Sequence, residues 1–320
     1  MKVSDITRID LKREVKYTLS SLLEWLNYLP GADAIRAASY PVWTKELPEV
    51  FDGLRIVLIA DLHGHLFGKD QKRLAKAVRE LQPDLILVAG DWVRSDYRGR
   101  DRRAILSAVR ALREIAPVFG NLGNHEALAP HREEMVKELK KEGVRILLDQ
   151  SILLKCRHLD KEENVIVLTG TDTPYEYYHG ESAKKRANAL KKLSYSMSRA
   201  GRKIIGTFSL DDHHYIENEE EKPAAKDAFR IAIAHRPELL NVYAGQGFDL
   251  VLCGHAHGGL MRLPGGRRLL APDQGLFPRY THGMFVKGKT RMVISEGLGG
   301  PRILIRPQLV LLTLKRDQGA

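Results

Sequence analysis

The stretch Ile56-Val57-Leu58-Ile59-Ala60-Asp61-Leu62-His63 constrains this chain more than any other. Five apolar residues in a row, three of them β-branched, read as a strand buried on both faces, so both sides of its sheet must be covered. A carboxylate and an imidazole follow at once, in Asp-X-His spacing. In an α/β sheet the functional crevice lies beyond the carboxyl ends of the strands, so a pair placed there can act on a ligand. Taken alone, the pair is equally compatible with a loop-capping Asp beside a satisfied His.

The pattern that follows is a repeated alternation. A strand over 54–60 is succeeded by a helix over 71–81 with apolar residues at Leu74, Ala77, Val78 and Leu81. A second strand, 85–89, ends in Gly90-Asp91. A helix over 102–115, a short strand at 118–120 and the run Gly123-Asn124-His125-Glu126 come next, then a helix over 133–141 and a strand at 144–148. Strands separated by helices of about 10–15 residues imply crossover units and a largely parallel sheet. Beyond residue 152 the helical alternation weakens, and short apolar runs at 152–154, 165–168, 229–234, 250–253, 291–295 and 309–314 suit a second sheet facing the first. The segment 174–226 reads as an insertion: a Lys/Arg-rich helical stretch over 183–199, then Asp211-Asp212-His213-His214 and an acidic run over 217–221. It is either a solvated excursion or a lid that shapes a substrate pocket.

With 320 residues, 43% hydrophobic and 28% charged, the chain can bury one large core carrying an insertion. The 51 Lys and Arg against 40 Asp and Glu leave a net charge of +11. That excess suits phosphate-rich company: a membrane surface, a nucleic acid or a phosphorylated substrate. Cys156 and Cys253 are too few for a disulfide framework and fit a reducing compartment. Residues 1–16 are too charged for a signal peptide, and no stretch reads as a membrane span. Val15, Leu19, Leu22, Leu23, Leu26 and Leu29 recur at helical spacing before Pro30-Gly31. Such a helix packs on the main domain or a second subunit, or lies on a membrane surface through residues 12–29, where Lys12-Arg13, Trp25 and Tyr28 favour the interface. The expected organisation is therefore helix and linker over 1–44, with the linker around 37–48, and a domain over 45–315 interrupted at 174–226. The expected location is cytoplasmic, with peripheral membrane contact as the alternative.

The chemistry emerges when the strand ends are read together. Asp61, His63, Asp91, Asn124, His125, His235, His255 and His257 all follow strands or sit in adjacent glycine-punctuated loops. Hard oxygen ligands mixed with imidazoles suit Mn, Fe, Zn or Ni, and a two-metal site needs a carboxylate that can bridge. Asp91 is the natural bridge. In order, Asp61-Leu62-His63, Gly90-Asp91, Gly123-Asn124-His125-Glu126, Ala234-His235 and Gly254-His255-Ala256-His257-Gly258-Gly259 resemble the five motifs of the calcineurin-like metallophosphoesterase superfamily. Ala271-Pro272-Asp273-Gln274-Gly275 and Ser295-Glu296-Gly297-Leu298-Gly299 are similar to a bacterial branch of predicted phosphohydrolases. The resemblance covers about 45–315 without the insertion.

That resemblance implies an α/β fold, a four-layer α/β/β/α sandwich of two mixed sheets. It implies that Asp61, His63 and His257 hold one divalent ion and Asn124, His235 and His255 another, with Asp91 shared and Mn favoured. His125 would protonate the leaving-group oxygen. In the protein-phosphatase branches the bridging Asp is followed three residues later by another Asp that orients the catalytic His; here that position is Arg94. Help for His125 must come from elsewhere, and Arg94 becomes a candidate substrate-phosphate contact. The expected activity is metal-dependent hydrolysis of a phosphodiester or pyrophosphate bond, in an amphiphilic or lipid-linked substrate of the kind some relatives cut, such as UDP-diacylglucosamine. Two alternatives accompany it. One is a nuclease or cyclic-nucleotide phosphodiesterase with the same centre, although no aromatic-interleaved stacking surface is present. The other is a non-catalytic scaffold of the same fold.

Overall fold

Successive side chains of the strand Arg55–Ile59 enter two different hydrophobic cores: Ile56 and Leu58 face one, Val57 and Ile59 the other. This is why its sequence is apolar without alternation. The computed structural model describes residues 34–156, 164–172, 183–200, 203–223 and 227–318. The amphipathic helix expected over 12–29 lies outside them.

In chain order the strands are β1 (Arg36–Thr44), β2 (Arg55–Ile59), β3 (Leu85–Ala89), β4 (Val118–Asn121), β5 (Arg145–Ile146), β6 (Gln150–Lys155), β7 (Val165–Gly170) and β8 (Lys203–Ser209). There follow β9 (Tyr215–Pro223), β10 (Phe229–Ile233), β11 (Leu250–Cys253), β12 (Leu270–Ala271), β13 (Gly275–Leu276), β14 (Gly283–Lys287), β15 (Thr290–Ile294) and β16 (Gln308–Arg316). The helices are α1 (Lys72–Glu80), α2 (Gly99–Arg113), α3 (Asn124–Leu128), α4 (Arg132–Lys141), α5 (Ala183–Ala200) and α6 (Leu240–Gly245).

One sheet has the order β1-β16-β2-β3-β4-β5, the other β14-β15-β11-β10-β7-β6-β8-β9. From β2 to β5 all pairings are parallel, as they are from β15 through β11 and β10 to β7. Both sheets are mixed, because β16 runs antiparallel to β2 and β6 antiparallel to β7. Between them lies a core that joins Ile56, Leu58, Leu87 and Leu312 to Ile166, Leu168, Ile231 and Leu252. The outer face of the first sheet packs on α1, α2 and α4 through Leu74, Val78, Ile105, Val109, Met135 and Leu139. The outer face of the second buries Ala232, Val251 and Met292 against Leu193 and Met197 of α5 and Leu240 and Tyr243 of α6. The result is the α/β/β/α sandwich expected. The parallel runs β2 to β5 of the first sheet and β7, β10, β11 and β15 of the second point their carboxyl ends at one seam.

Two segments differ from expectation. Residues 36–44, read as linker, form β1, paired in parallel with β16 along its whole length. Its alternate residues are exposed and it carries Pro41, as an edge strand can. Within 174–226 the helical stretch forms as α5, but the charge-rich remainder contributes β8 and β9 to the edge of the second sheet.

Candidate metal centre

Every chemistry-bearing residue singled out in the sequence sits where a strand ends at the seam. Asp61 and His63 follow β2, Asp91 follows β3, and Asn124 and His125 open α3 just beyond β4. His235 follows β10, and His255 and His257 follow β11. All but Asn124 and His125 are buried. Five adopt left-handed backbone: Asp61 (φ 54°), His63 (48°), Asp91 (54°), His255 (67°) and His257 (46°). For non-glycine residues this costs about 1 kcal/mol or more each and persists only where the surroundings impose it. Here the Asp61 amide donates to the Gly90 carbonyl at 3.1 Å and the His63 amide to the Asp91 carbonyl at 3.0 Å, so the two loops brace one another.

The side chains converge on Asp91. Its Oδ2 lies 3.2 Å from His235 Nε2, 3.7 Å from His63 Nε2 and 3.9 Å from His125 Nε2. Two groups of ligand-type atoms share this carboxylate: Asp61, His63, Asp91 and His257, and Asp91, His235 and His255, each group within 4.8 Å. Asn124 Oδ1 joins the second, 3.1 Å from His235 Nε2. The ring nitrogens are oriented from behind. His63 Nδ1 donates to the Val93 carbonyl at 3.1 Å, His235 Nδ1 to the Ala89 carbonyl at 2.8 Å, and His255 Nε2 to Asp273 Oδ2 at 2.9 Å. Each bond leaves the opposite nitrogen for the crevice. Both His63 Nε2 and Asp91 Oδ2 are buried without a hydrogen-bond partner. A buried orphan acceptor costs about 1–3 kcal/mol, and two facing one another fit a cation between them.

The electrostatics agree. Burial drives the His63 imidazole down to about 3 and holds His257 well below its ordinary value, so both are neutral lone-pair donors at pH 7. Burial likewise pushes Asp61 up to about 7. Burial would raise Asp91 too, but His235, His125 and His63 together hold it well below the carboxylate range. Its charge in turn overcomes the burial of His235 and lifts that imidazole to about 9. With no ion bound, His235 is thus the group that answers the Asp91 charge.

Comparison with known proteins gives the family. Residues 54–259, more than half of the chain, match the calcineurin-like phosphoesterases. The chain belongs to that family. It is 26% identical over 270 residues to phosphodiesterase YaeI of Escherichia coli, covering 81% of this chain and 82% of that protein. It is also 26% identical over 293 residues to the metallophosphoesterase YkuE of Bacillus subtilis, covering 88% and 86%. Among solved structures, the sulfate thiohydrolase SoxB of Thermus thermophilus superposes with a TM-score of 0.40 at 14% identity, over 84% of this chain and 57% of that longer one. As a calcineurin-like phosphoesterase the chain is a metal-dependent phosphohydrolase, and the shared cluster on Asp91 is its candidate metal-binding site.

Several residues around the candidate site carry no metal-ligand signature in the sequence. Glu126 is fully buried and accepts from the amides of Asp91 (3.0 Å), Val93 (2.9 Å) and Gly123 (2.7 Å), tying the β3 loop to the β4 loop. Burial and the nearby Asp91 raise its carboxyl to about 7. The cue for Glu126 is its place in the Gly123-Asn124-His125-Glu126 run. Arg302, buried, donates to the carbonyls of Gly297 (2.8 Å), Leu298 and Gly299 (2.6 Å). This clamps the glycine loop that lies against Asp61 and His257. Asp273 lies in the 271–275 segment that the sequence marks but gives no role; it reaches His255 from the turn between β12 and β13. The partner missing for His125 is a backbone group: its Nδ1 donates to the Arg94 carbonyl. The Arg94 side chain itself is exposed on the rim.

Proposed function

We propose that this phosphohydrolase cleaves a phosphodiester or pyrophosphate bond with a two-ion centre bridged by Asp91, and that its substrate is amphiphilic or lipid-linked. The observation that carries the two-ion reading is the pair of ligand groups sharing one buried carboxylate, that of Asp91. In this reading Asp61, His63 and His257 hold one ion, and Asn124, His235 and His255 the other. Bound divalent ions, Mn favoured among Mn, Fe, Zn and Ni, would polarise the phosphoryl oxygens and make a water nucleophilic at neutral pH. The chain's own residues do the rest. His125, half-exposed at the rim with its Nδ1 committed to the Arg94 carbonyl, presents Nε2 as the proton donor to the leaving oxygen. Arg94 contacts a non-bridging phosphate oxygen from the same rim.

The amphiphilic substrate class is supported by the +11 net charge and by the apolar spacing over 12–29. Among the described residues no helix is long and apolar enough to cross a membrane. The test is hydrolysis of bis-p-nitrophenyl phosphate with added manganese by the wild type and Asp91→Asn. The variant is expected to lose at least about a hundredfold in kcat/KM, on the scale of one lost transition-state charge contact. Unchanged hydrolysis in Asp91→Asn would remove the shared carboxylate from the mechanism.

A further inference from the structure

We infer that the face formed by residues 260–279 and 300–306 is a docking surface for an anionic lipid bilayer, beside the mouth of the metal centre. This rests on the reading of that centre as acting on amphiphilic phosphoesters. After β11 the chain leaves the sheets, turns through the β12–β13 hairpin and returns at β14. On this excursion Leu276 and Phe277 are 67% and 54% exposed, with Leu270 beside them, and Leu304 of the neighbouring loop is 78% exposed. The loops form one surface. The Ile303 amide donates to the Leu260 carbonyl at 2.7 Å, the Leu269 amide to Met261 at 3.1 Å and the Phe277 amide to Leu269 at 2.8 Å. Leu304 is held outward at φ 59° and Phe277 at 52°, backbone that bulky side chains rarely adopt. Four large apolar side chains kept in water on adjoining loops are what a soluble surface avoids unless something covers them.

Charge selects the occupant. Arg262, Arg267, Arg279 and Arg306 are exposed on the same two segments, and among the described residues none of them makes an ion pair. The segments contain one acidic residue, Asp273, and it is engaged by His255 and Arg236. The Arg267 guanidinium lies 4.7 Å over the Phe277 ring. Apolar and aromatic side chains interleaved with arginines suit the boundary between acyl chains and anionic headgroups: the apolar ends insert while the guanidiniums stay at phosphate level. Because Asp273 on this hairpin bonds His255, a bilayer seated here would present its headgroup phosphates at the crevice.

Sedimentation of the full chain with vesicles tests this, using phosphatidylglycerol mixed with phosphatidylcholine against phosphatidylcholine alone. Leu276→Ser/Phe277→Ser, Arg267→Glu and Leu22→Ser/Leu26→Ser are compared with wild type, alongside hydrolysis of soluble bis-p-nitrophenyl phosphate. Wild type is expected to sediment only with the anionic vesicles. The apolar double variant is expected to bind them about tenfold or more weakly and the Arg267 variant several-fold more weakly, with soluble hydrolysis unchanged. Undiminished binding by the apolar double variant, loss confined to the Leu22/Leu26 variant, or failure of wild type to sediment would overturn the proposal. So would a dimer abolished by the apolar double variant without vesicle binding, which would make a second copy the occupant. If no protein hydrolyses the soluble ester yet the vesicle pattern holds, the docking face stands and the phosphodiester reading of the centre fails.

Discussion

His125 and Arg94 show how one residue's backbone can do what another's side chain does elsewhere. A carbonyl is a fixed acceptor that holds the imidazole in the tautomer with Nε2 outward, and no side-chain substitution removes it. Two kinetic signatures separate the partners. His125→Ala is expected to lower kcat by about 10²–10⁴-fold while the metal content of the protein stays that of wild type. Arg94→Ala keeps the carbonyl, so kcat should hold while KM rises, the pattern of lost ground-state binding. Steady-state kinetics of both variants with metal analysis check this; a kcat loss in Arg94→Ala matching that of His125→Ala would contradict it. At this scale the convergent residues were legible because each follows a buried strand. Glu126, Asp273 and Arg302 were not given roles, since they act through amides, carbonyls and a ring nitrogen brought near only by the fold.

Elements succeed or fail to announce themselves according to burial. Strands β2, β3, β10 and β11 have both faces in a core and read as apolar runs. Strands β1 and β9 lie at sheet edges, where one side meets water, so a proline in one and acidic charge in the other hide them. The loop after β15 is an element with a positional task. Gly300 has φ +86°, and a Cβ there would fall inside the van der Waals contact of the His257 ring. Gly300→Ala is therefore expected to displace His257 and lose about 10–100-fold in affinity for one of two ions, leaving the other. Titration of the apo-protein with manganese, followed by calorimetry, measures this; two unchanged binding events would contradict it.

A pH effect belongs to the start of β6. Burial raises the Asp149 carboxyl above its ordinary value, against hydrogen bonds from Ser196 and from the Asp172 amide at 2.9 Å. A folded-state pKa above the unfolded one means that the folded protein binds more protons in the interval between them. Stability is then lost as pH rises through that interval and stays lost above it. Asp149 sits at φ 51°, which asparagine tolerates, and Asn keeps an acceptor for the Asp172 amide. The melting temperature of Asp149→Asn relative to wild type is expected to be higher at pH 7 than at pH 4. An equal difference at both pH values would contradict the assignment.

At the scale of the whole molecule, the two sheets are a device for bringing strand ends separated by nearly two hundred residues to one seam. The Asp61 carboxylate accepts the His255 amide at 3.0 and 3.1 Å, and Asn121 Nδ2 donates to the Thr171 carbonyl at 2.9 Å, so side chains stitch the sheets together where the site forms. The two-sheet architecture was legible from the change in strand and helix rhythm near residue 152. Which edges the later strands would take was not, because register and neighbour choice at an edge are set by the remaining fold rather than by local pattern. This seam is proposed to hold two ions on one shared carboxylate. Anomalous diffraction from crystals grown with manganese tests it most directly. Two peaks about 3.5–4 Å apart are expected, one bounded by Asp61, His63 and His257, the other by Asn124, His235 and His255, with Asp91 touching both. A single peak, or ions bound without Asp91, would contradict it.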